Sequence, residues 1–259
     1  MTTLLLTTAA FTLIAMSLLW LLSLRLQDAS IVDIYWGLGF VLIAWTAFAL
    51  SDGYRPRKLL LCVLVTVWGV RLALHLWRRN RGRGEDYRYQ AMRKRHRERF
   101  KWISLALVFG LQGLLLWVIS LPLQLAQTAI WPWRLTWLDW LGAGVWLLGF
   151  LFEAVGDWQL MRFKADPNNR GKVLNRGLWR YTRHPNYFGD AVVWWGLWLI
   201  AVAAGEGFIA MLSPLLMTFL LLQVTGAALL EKSLVKTKPQ YQFYVKHTSA
   251  FVPWPPKKL

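Results

Sequence analysis

Seven apolar stretches, near 4–24, 31–50, 59–77, 103–124, 137–160, 186–204 and 207–230, divide this chain. Each is long enough, or nearly so, to cross a hydrocarbon core of about 30 Å, which takes roughly 20 helical residues. Lipid offers no partner to a backbone N–H or C=O, so a run that spans it has to satisfy itself as a helix. The expected fold is therefore all-α: a polytopic membrane protein with seven transmembrane helices, in a single domain 1–259. The first stretch begins MTTLLLTTAAF, with no basic residue before it and no cleavage pattern after it. It reads as a retained helix rather than a signal peptide.

A formal charge of +17 ordinarily points to nucleic acid or an anionic surface. Here the position of the charge decides. With the N-terminus outside, the inner segments 25–30, 78–102, 161–185 and 231 onward hold 25 of the 30 Lys and Arg residues. The outer loops 51–58, 125–136 and 205–206 hold 3, 1 and 0. That asymmetry obeys the positive-inside rule for an odd number of spans and sets the C-terminus in the cytoplasm. Membrane lipids are then the expected partners of the charge, and nucleic acid is not expected. Cys62, the only cysteine, lies within an apolar run and reads as a small buried hydrophobe, so neither a disulfide nor a metal site is expected.

Ionisable residues inside spans are costly and face a protein interior or a wet cavity. Asp33 opens the second stretch. Arg71 and His75, Glu153 and Asp157, and Asn186 and Asp190 are each four residues apart and share a helix face. Each pair alone reads equally well as a lock between helices. Taken together with Asp33, and lying toward the cytoplasmic half, they read as a shared polar cavity.

Two inner loops carry more than topology requires. RRNRGRGEDYRYQAMRKRHRERFKW, from Arg78, sets arginines among glycines and tyrosines, a composition able to wrap a phosphate and stack on a flat ring. The loop after Asp157 carries Arg162, Lys164, Arg170, Lys172, Arg176, Arg180 and Arg183 against Asp166 alone. Neither GxGxxG nor GxxxxGK[ST] occurs, so no Rossmann or P-loop site is supported. Pro185 is expected to start the sixth helix, with His184 at its N-cap either as a plain cap or as part of a site. Asn186 offers a donor and an acceptor suited to a carboxamide.

GLWRYTRHPNYFGD, ending at Asp190, resembles the signature of the membrane steroid 5α-reductase superfamily, which includes sterol reductases with an RH-x-NY-x-GD pattern. The resemblance is closest to bacterial relatives of the 5α-reductase C-terminal domain, which share WG-x-RL and GEDYRY. Here these read WGVRL, Trp68 to Leu72, and GEDYRY, Gly84 to Tyr89, and the likeness runs from Asp33 to the C-terminus. It implies an enzyme of a bacterial inner membrane that binds NADPH from the cytoplasm and reduces an activated C=C bond of a lipid-soluble substrate.

Residue by residue, the resemblance assigns Asp157 to hold the cofactor, with Arg162 and Lys164 at its phosphates. Asn80 and Arg81 match an Asn-Arg-Gly after the third helix. Tyr181, Asn186 and Asp190 match residues around the nicotinamide, and Glu231, Tyr241 and Tyr244 match the C-terminal stretch. Arg176, Arg183 and His184, in the motif-bearing loop, complete the expected cofactor set. The family's Gln-Glu pair in the second helix is missing here, and Asp33, Tyr35 and Trp36 occupy its region. Asp33 is thus the first candidate to polarise a substrate carbonyl, as a neutral acid, with Tyr35 as the alternative. Trp36 and Trp68 are expected to wall the substrate. A rival resemblance is to membrane methyltransferases of the isoprenylcysteine and phospholipid type, which share RHP-x-Y-x-G. Their S-adenosylmethionine has no phosphate and leaves the arginine-glycine loop unused.

Overall fold

The structure, a computed structural model, describes residues 1–224, 231 and 239–257. Among these the chain is all-helical, and extended pairing is limited to one bridge between Thr182 and Ser249. Among the described residues, five helices are long and apolar enough to cross a membrane: α1 (Thr2–Leu26), α2 (Ile31–Leu50), α3 (Arg55–Asn80), α4 (Tyr87–Ile119) and α5 (Trp137–Ala165). The molecule is an integral membrane protein whose apolar helices associate with lipid. Leu6, Leu13, Leu114 and Leu148 lie exposed on these helices, which in a bilayer is an ordinary lipid-facing position.

The differences from the sequence expectation have local causes. α4 begins at Tyr87, well before the apolar stretch that starts at 103, because the basic segment Tyr87–His96 is helical ahead of the span, with a break in regular α geometry at Arg97, whose φ is positive. It stops at Ile119, ahead of Pro122, and a short turn Leu121–Leu125 follows. α6 (Pro185–Ala203) is helical where the sixth span is expected, with Asn186, Tyr187 and Asp190 in its first turns. α7 (Gly207–Gln223) is a shorter apolar helix; positions 225–230 of the expected seventh span lie outside the described residues. α8 (Pro239–His247) follows.

Contacts divide the chain into two compact units. Unit 1 comprises Met1–Thr136 and Ile200–Leu212. Its centre is the α2–α3 pair, where Gly37 and Gly69 meet backbone to backbone and Phe40 lies against both Trp36 and Trp68. Cys62 is buried there and donates weakly to the Ala44 carbonyl at 3.4 Å, as expected of a core thiol. Gln127 Nε2 donates to the same carbonyl at 3.0 Å.

Unit 2 comprises Trp137–Leu199 and Ser213–Leu259. α5 and α6 pack along a glycine seam in which Gly149 faces Gly189 and Gly196 faces the backbone of Gly142 and Trp146. Such approach is open only to residues without a Cβ, and it is a common way for helices to pack where lipid supplies no hydrophobic drive.

Candidate functional site

In unit 1 the start of α2 is gripped by GEDYRY. Positive φ at Gly82 and Gly84 turns the chain after α3 and returns it toward α2. Glu85 Oε1 accepts the Ala29 N–H at 2.9 Å, and Arg93 closes a two-pronged pair on the same carboxylate at 2.8 and 3.0 Å. The Asp86 N–H donates to Ser30 Oγ at 2.6 Å, and the Asp86 side chain caps the first turn of α4. Arg88 Nη2 reaches Asp33 Oδ2 at 2.7 Å, and the Tyr89 hydroxyl donates to Asp33 Oδ1 at 2.8 Å. Gln112 Nε2 donates to that hydroxyl at 3.2 Å.

Both oxygens of Asp33 are therefore engaged, Oδ2 by Arg88 and Oδ1 by Tyr89. Tyr89, outside the sequence-based set, is the hydroxyl this network holds. Tyr35 is half-buried on α2, and Trp36 is half-buried with its ring against Phe40. Trp68 is wholly buried in the core.

Burial works against the charges of Glu85 and Asp86, but hydrogen bonds from Arg93 and Arg88, with backbone N–H groups, outweigh it and hold both carboxyls below their ordinary values. A depressed folded-state value means the contribution is full above the ordinary carboxyl range and is lost as pH falls through the depressed values. The wild type is expected to lose thermal stability on acidification in that window. Glu85→Gln is expected to start less stable at neutral pH and to lose less on acidification. Parallel acid profiles for the two proteins would remove the clasp from the account.

In unit 2 the seam sets Asp157 beside the first turn of α6. Asp157 is buried, and Asn186 Nδ2 donates to its Oδ1 at 3.0 Å. The sequence pairs Asp157 with Glu153 and Asn186 with Asp190 along single helices, and the Asn186–Asp157 bond runs across from α6 to α5. Helix spacing gives a shared face, and the close glycine seam supplies a nearer partner. Asp190 is half-buried one turn beyond Asn186. Pro185 opens α6 and His184 precedes it, as expected, with the His184 N–H on Thr182 Oγ1 at 3.3 Å.

His184 is a side-chain participant. Its Nε2 lies 2.9 Å from Glu231 Oε1, and its ring stacks on Tyr187. Arg183 takes both Glu231 oxygens, Nε at 2.6 Å and Nη2 at 3.2 Å, while Nη1 donates to the carbonyls of Val245 and Thr248 at 2.9 and 2.8 Å. Burial alone raises the Glu231 carboxyl, but the hydrogen bonds from His184 and Arg183 outweigh it and hold it below its ordinary value. The Tyr244 hydroxyl donates to the Trp179 carbonyl, and the Trp179 indole donates to the Gly156 carbonyl at 3.0 Å. Burial pushes the hydroxyls of Tyr241 and Tyr244 above their ordinary values, so both stay protonated.

Trp179, Arg183, His184, Tyr241 and Tyr244 line a cavity of about 510 Å³ within unit 2, and Asp157, Asn186, Asp190 and Glu231 are not among its lining residues. Of the residues assigned to the cofactor, Lys164, Arg183, His184, Tyr241 and Tyr244 line it. Arg170 and Lys172 of the basic loop after Asp157 line it too, as does Trp179, although none of the three is in the cofactor set that the resemblance assigns. The two cations belong to DPNNRGK, whose turn is set by Asp166 accepting the Asn168 N–H at 2.9 Å and by positive φ at Gly171. That Asx turn with a following glycine was the available signal. Arg162 lies over the Trp158 ring, Arg176 is exposed, and Tyr181 offers its carbonyl to the Trp254 N–H; none is among the lining residues. Asn80 and Arg81 belong to unit 1, where Asn80 accepts from Arg79 at 3.1 Å and Arg81 lies over Trp77.

A cavity of this size is in the range that holds small molecules. Cations and aromatic rings in one lining suit a ligand with both phosphates and a flat ring. A family model described as "Protein of unknown function (DUF1295)" matches residues 19–248. An uncharacterized protein of Schizosaccharomyces pombe is 27% identical, over 74% of this chain and 63% of its own length. The chain thus spans less than two thirds of the curated relative it matches. No solved structure matches the chain significantly.

Proposed function

The chain belongs to this family of unknown function, and from that premise we propose that it is a membrane oxidoreductase using NADPH to reduce an activated C=C bond. The substrate class is an enone of a steroid-like or other lipid. The observation that carries the reading is the unit 2 cavity, in which Lys164, Arg170 and Lys172 accompany Trp179, Tyr241 and Tyr244. NADPH, when bound, supplies hydride and leaves as the oxidised nucleotide.

The chain's own residues do the rest. Lys164, Arg170 and Lys172 offer charge-assisted hydrogen bonds to phosphate oxygens. Asn186 spends an amide hydrogen on Asp157 and keeps its side-chain carbonyl as an acceptor for a carboxamide N–H. Tyr35 is the hydroxyl proposed for the substrate carbonyl, where negative charge develops, because the Tyr89 hydroxyl already donates its one hydrogen to Asp33. Seven spans with the C-terminus in the cytoplasm are part of the proposal, supported by the 25 basic residues on the inner segments. On that orientation the cavity opens to the compartment that holds the nucleotide, and the apolar substrate enters from the bilayer. The membrane proposed is a bacterial inner membrane.

The S-adenosylmethionine reading shares the RHP motif but gives the three cations no phosphate to meet. Purified protein is expected to melt at a higher temperature with NADPH, with the gain reduced at least about tenfold in apparent affinity in Asp157→Ala, since a buried carboxylate and its amide partner are lost together. Stabilisation by S-adenosylmethionine and not by NADPH overturns the reductase proposal.

A further inference from the structure

A second cavity in unit 2, of about 480 Å³, has no role in the proposed reaction. It is lined by segment 173–180 and by the C-terminal tail, and only Val173 and Tyr244 are shared with the first cavity. The tail is fixed in place. The Arg183 N–H donates to the Ser249 carbonyl at 2.9 Å, Thr182 Oγ1 to the Phe251 carbonyl at 2.7 Å, and the Trp254 N–H to the Tyr181 carbonyl at 2.9 Å. The Lys257 N–H donates to the His247 carbonyl at 3.0 Å, which sets these two residues side by side.

Three side chains give the cavity its chemistry: Arg180, His247 and Lys257. His247 stacks on Phe243 at 4.0 Å, and its Nδ1 lies 2.8 Å from the Phe243 carbonyl. A carbonyl only accepts, so Nδ1 carries the hydrogen and Nε2 is left to interact with a ligand. Asn175 and Gln240 add amide groups to the wall. No Asp or Glu is among the residues that line the cavity. The sequence holds no Asp or Glu from 167 to 189 or from 232 to 259. Glu231, which lies between those segments, is already taken by Arg183 and His184.

We propose that this second cavity is a phosphate-binding site that takes a phosphate monoester. Arg180 and Lys257 supply charge-assisted hydrogen bonds to its oxygens. His247 Nε2 accepts from a protonated phosphate oxygen, or donates when the ring is charged. The amides of Asn175 and Gln240 can complete the oxygen shell. A soluble phosphate and the headgroup of a phosphatidic acid share this chemistry. The inference does not rest on the reductase reading, because neither Arg180, His247 nor Lys257 lines the cavity assigned to the nucleotide.

The test uses the full chain in detergent, in a phosphate-free buffer at constant ionic strength, titrated with inorganic phosphate and separately with short-chain phosphatidic acid against phosphatidylcholine. A saturable rise in melting temperature is expected, with apparent Kd raised at least about tenfold in Arg180→Ala/Lys257→Ala, the loss expected for two charged contacts. Both side chains are exposed, so the variant should fold, and its melting temperature without ligand checks that. A response to phosphatidic acid alone assigns the site to a lipid headgroup, and a response to both assigns it to free phosphate. Lys164→Ala/Arg170→Ala is expected to keep the phosphate response. Loss of the response in that variant, or its survival in Arg180→Ala/Lys257→Ala, overturns the proposal, as does a response that never saturates.

Discussion

Replacing Arg183 by alanine is expected to destabilise the protein by roughly 3–5 kcal/mol, the usual cost of removing one partner from a buried pair. The guanidinium is 10% exposed and makes four hydrogen bonds, two to Glu231 and two to the carbonyls of Val245 and Thr248. Alanine removes both guanidinium contacts of Glu231, keeps the one from His184, and strands the two tail carbonyls. Lysine should not rescue, because a single ammonium cannot span the planar fork that the two Glu231 oxygens and two carbonyls define. A drop in melting temperature on the order of 10 °C is expected for either variant.

The double-mutant cycle with Glu231→Gln separates the pair from the tail contacts. If the ion pair dominates, the double variant is little worse than Arg183→Ala alone. If the tail carbonyls dominate, the two losses add. The pH dependence has a defined sign. Glu231 is held below its ordinary value in the folded protein, so its stabilisation is full above the ordinary carboxyl range and is lost as pH falls through the depressed value. Glu231→Gln is expected to flatten that limb of the profile. A change in melting temperature of Arg183→Ala equivalent to under about 1 kcal/mol, the range of an exposed pair, would mean that the cluster carries no structural weight.

Much of this was legible in the sequence, and the reasons differ by element. The membrane helices are legible because lipid imposes one solution on any long apolar run, so hydropathy alone locates α1, α2, α3 and α5 closely. The start of α4 is not legible that way, since its basic first part, Tyr87–His96, lies ahead of the apolar stretch and hydropathy reports only the part in lipid. Pro185 as the first residue of α6 is legible because proline fits a first turn and little else in a helix. The role of GEDYRY is not. Its residues look suited to a ligand, yet Glu85, Asp86, Arg88 and Tyr89 spend their hydrogen bonds on the start of α2. Only a long-range contact, across more than fifty residues, reveals that partner. Asp33 was picked out correctly as a costly polar residue in a span, but its cost is met by Arg88 and Tyr89. Likewise the i,i+4 spacing found Asp157 and Asn186 and could not say that they would meet each other.

That meeting depends on the glycine seam, and Gly189→Ala is expected to break it. A Cβ at Gly189 would fall on the Glu153 backbone nitrogen and within 2.5 Å of the Gly149 carbonyl oxygen. Both obstacles are main chain in the middle of a helix and have no rotamer with which to yield. Restoring contact distances of about 3.5–4 Å requires α6 to move away by about 1 Å. The Asn186–Asp157 bond, 3.0 Å long and about one turn along α6, then stretches past hydrogen-bonding range. Overpacking of this kind costs about 1–3 kcal/mol or somewhat more, so Gly189→Ala should melt lower and also lose the NADPH response that Asp157→Ala loses. Gly144→Ala is the control: a Cβ there meets nothing within 4 Å, and alanine favours a helix over glycine by about 0.5–1 kcal/mol, so it should be neutral or slightly stabilising. At Gly156 the nearest atoms stand 3.2 Å from a Cβ, and Gly156→Ala should fall between the two. This order, with Gly144 mildest and Gly189 harshest, is set by main-chain distance alone, because all three changes add the same methyl group to the same kind of helix. Equal melting temperatures for Gly189→Ala and Gly144→Ala would show that α5 and α6 do not pack backbone to backbone. The Asp157–Asn186 pair would then need another explanation.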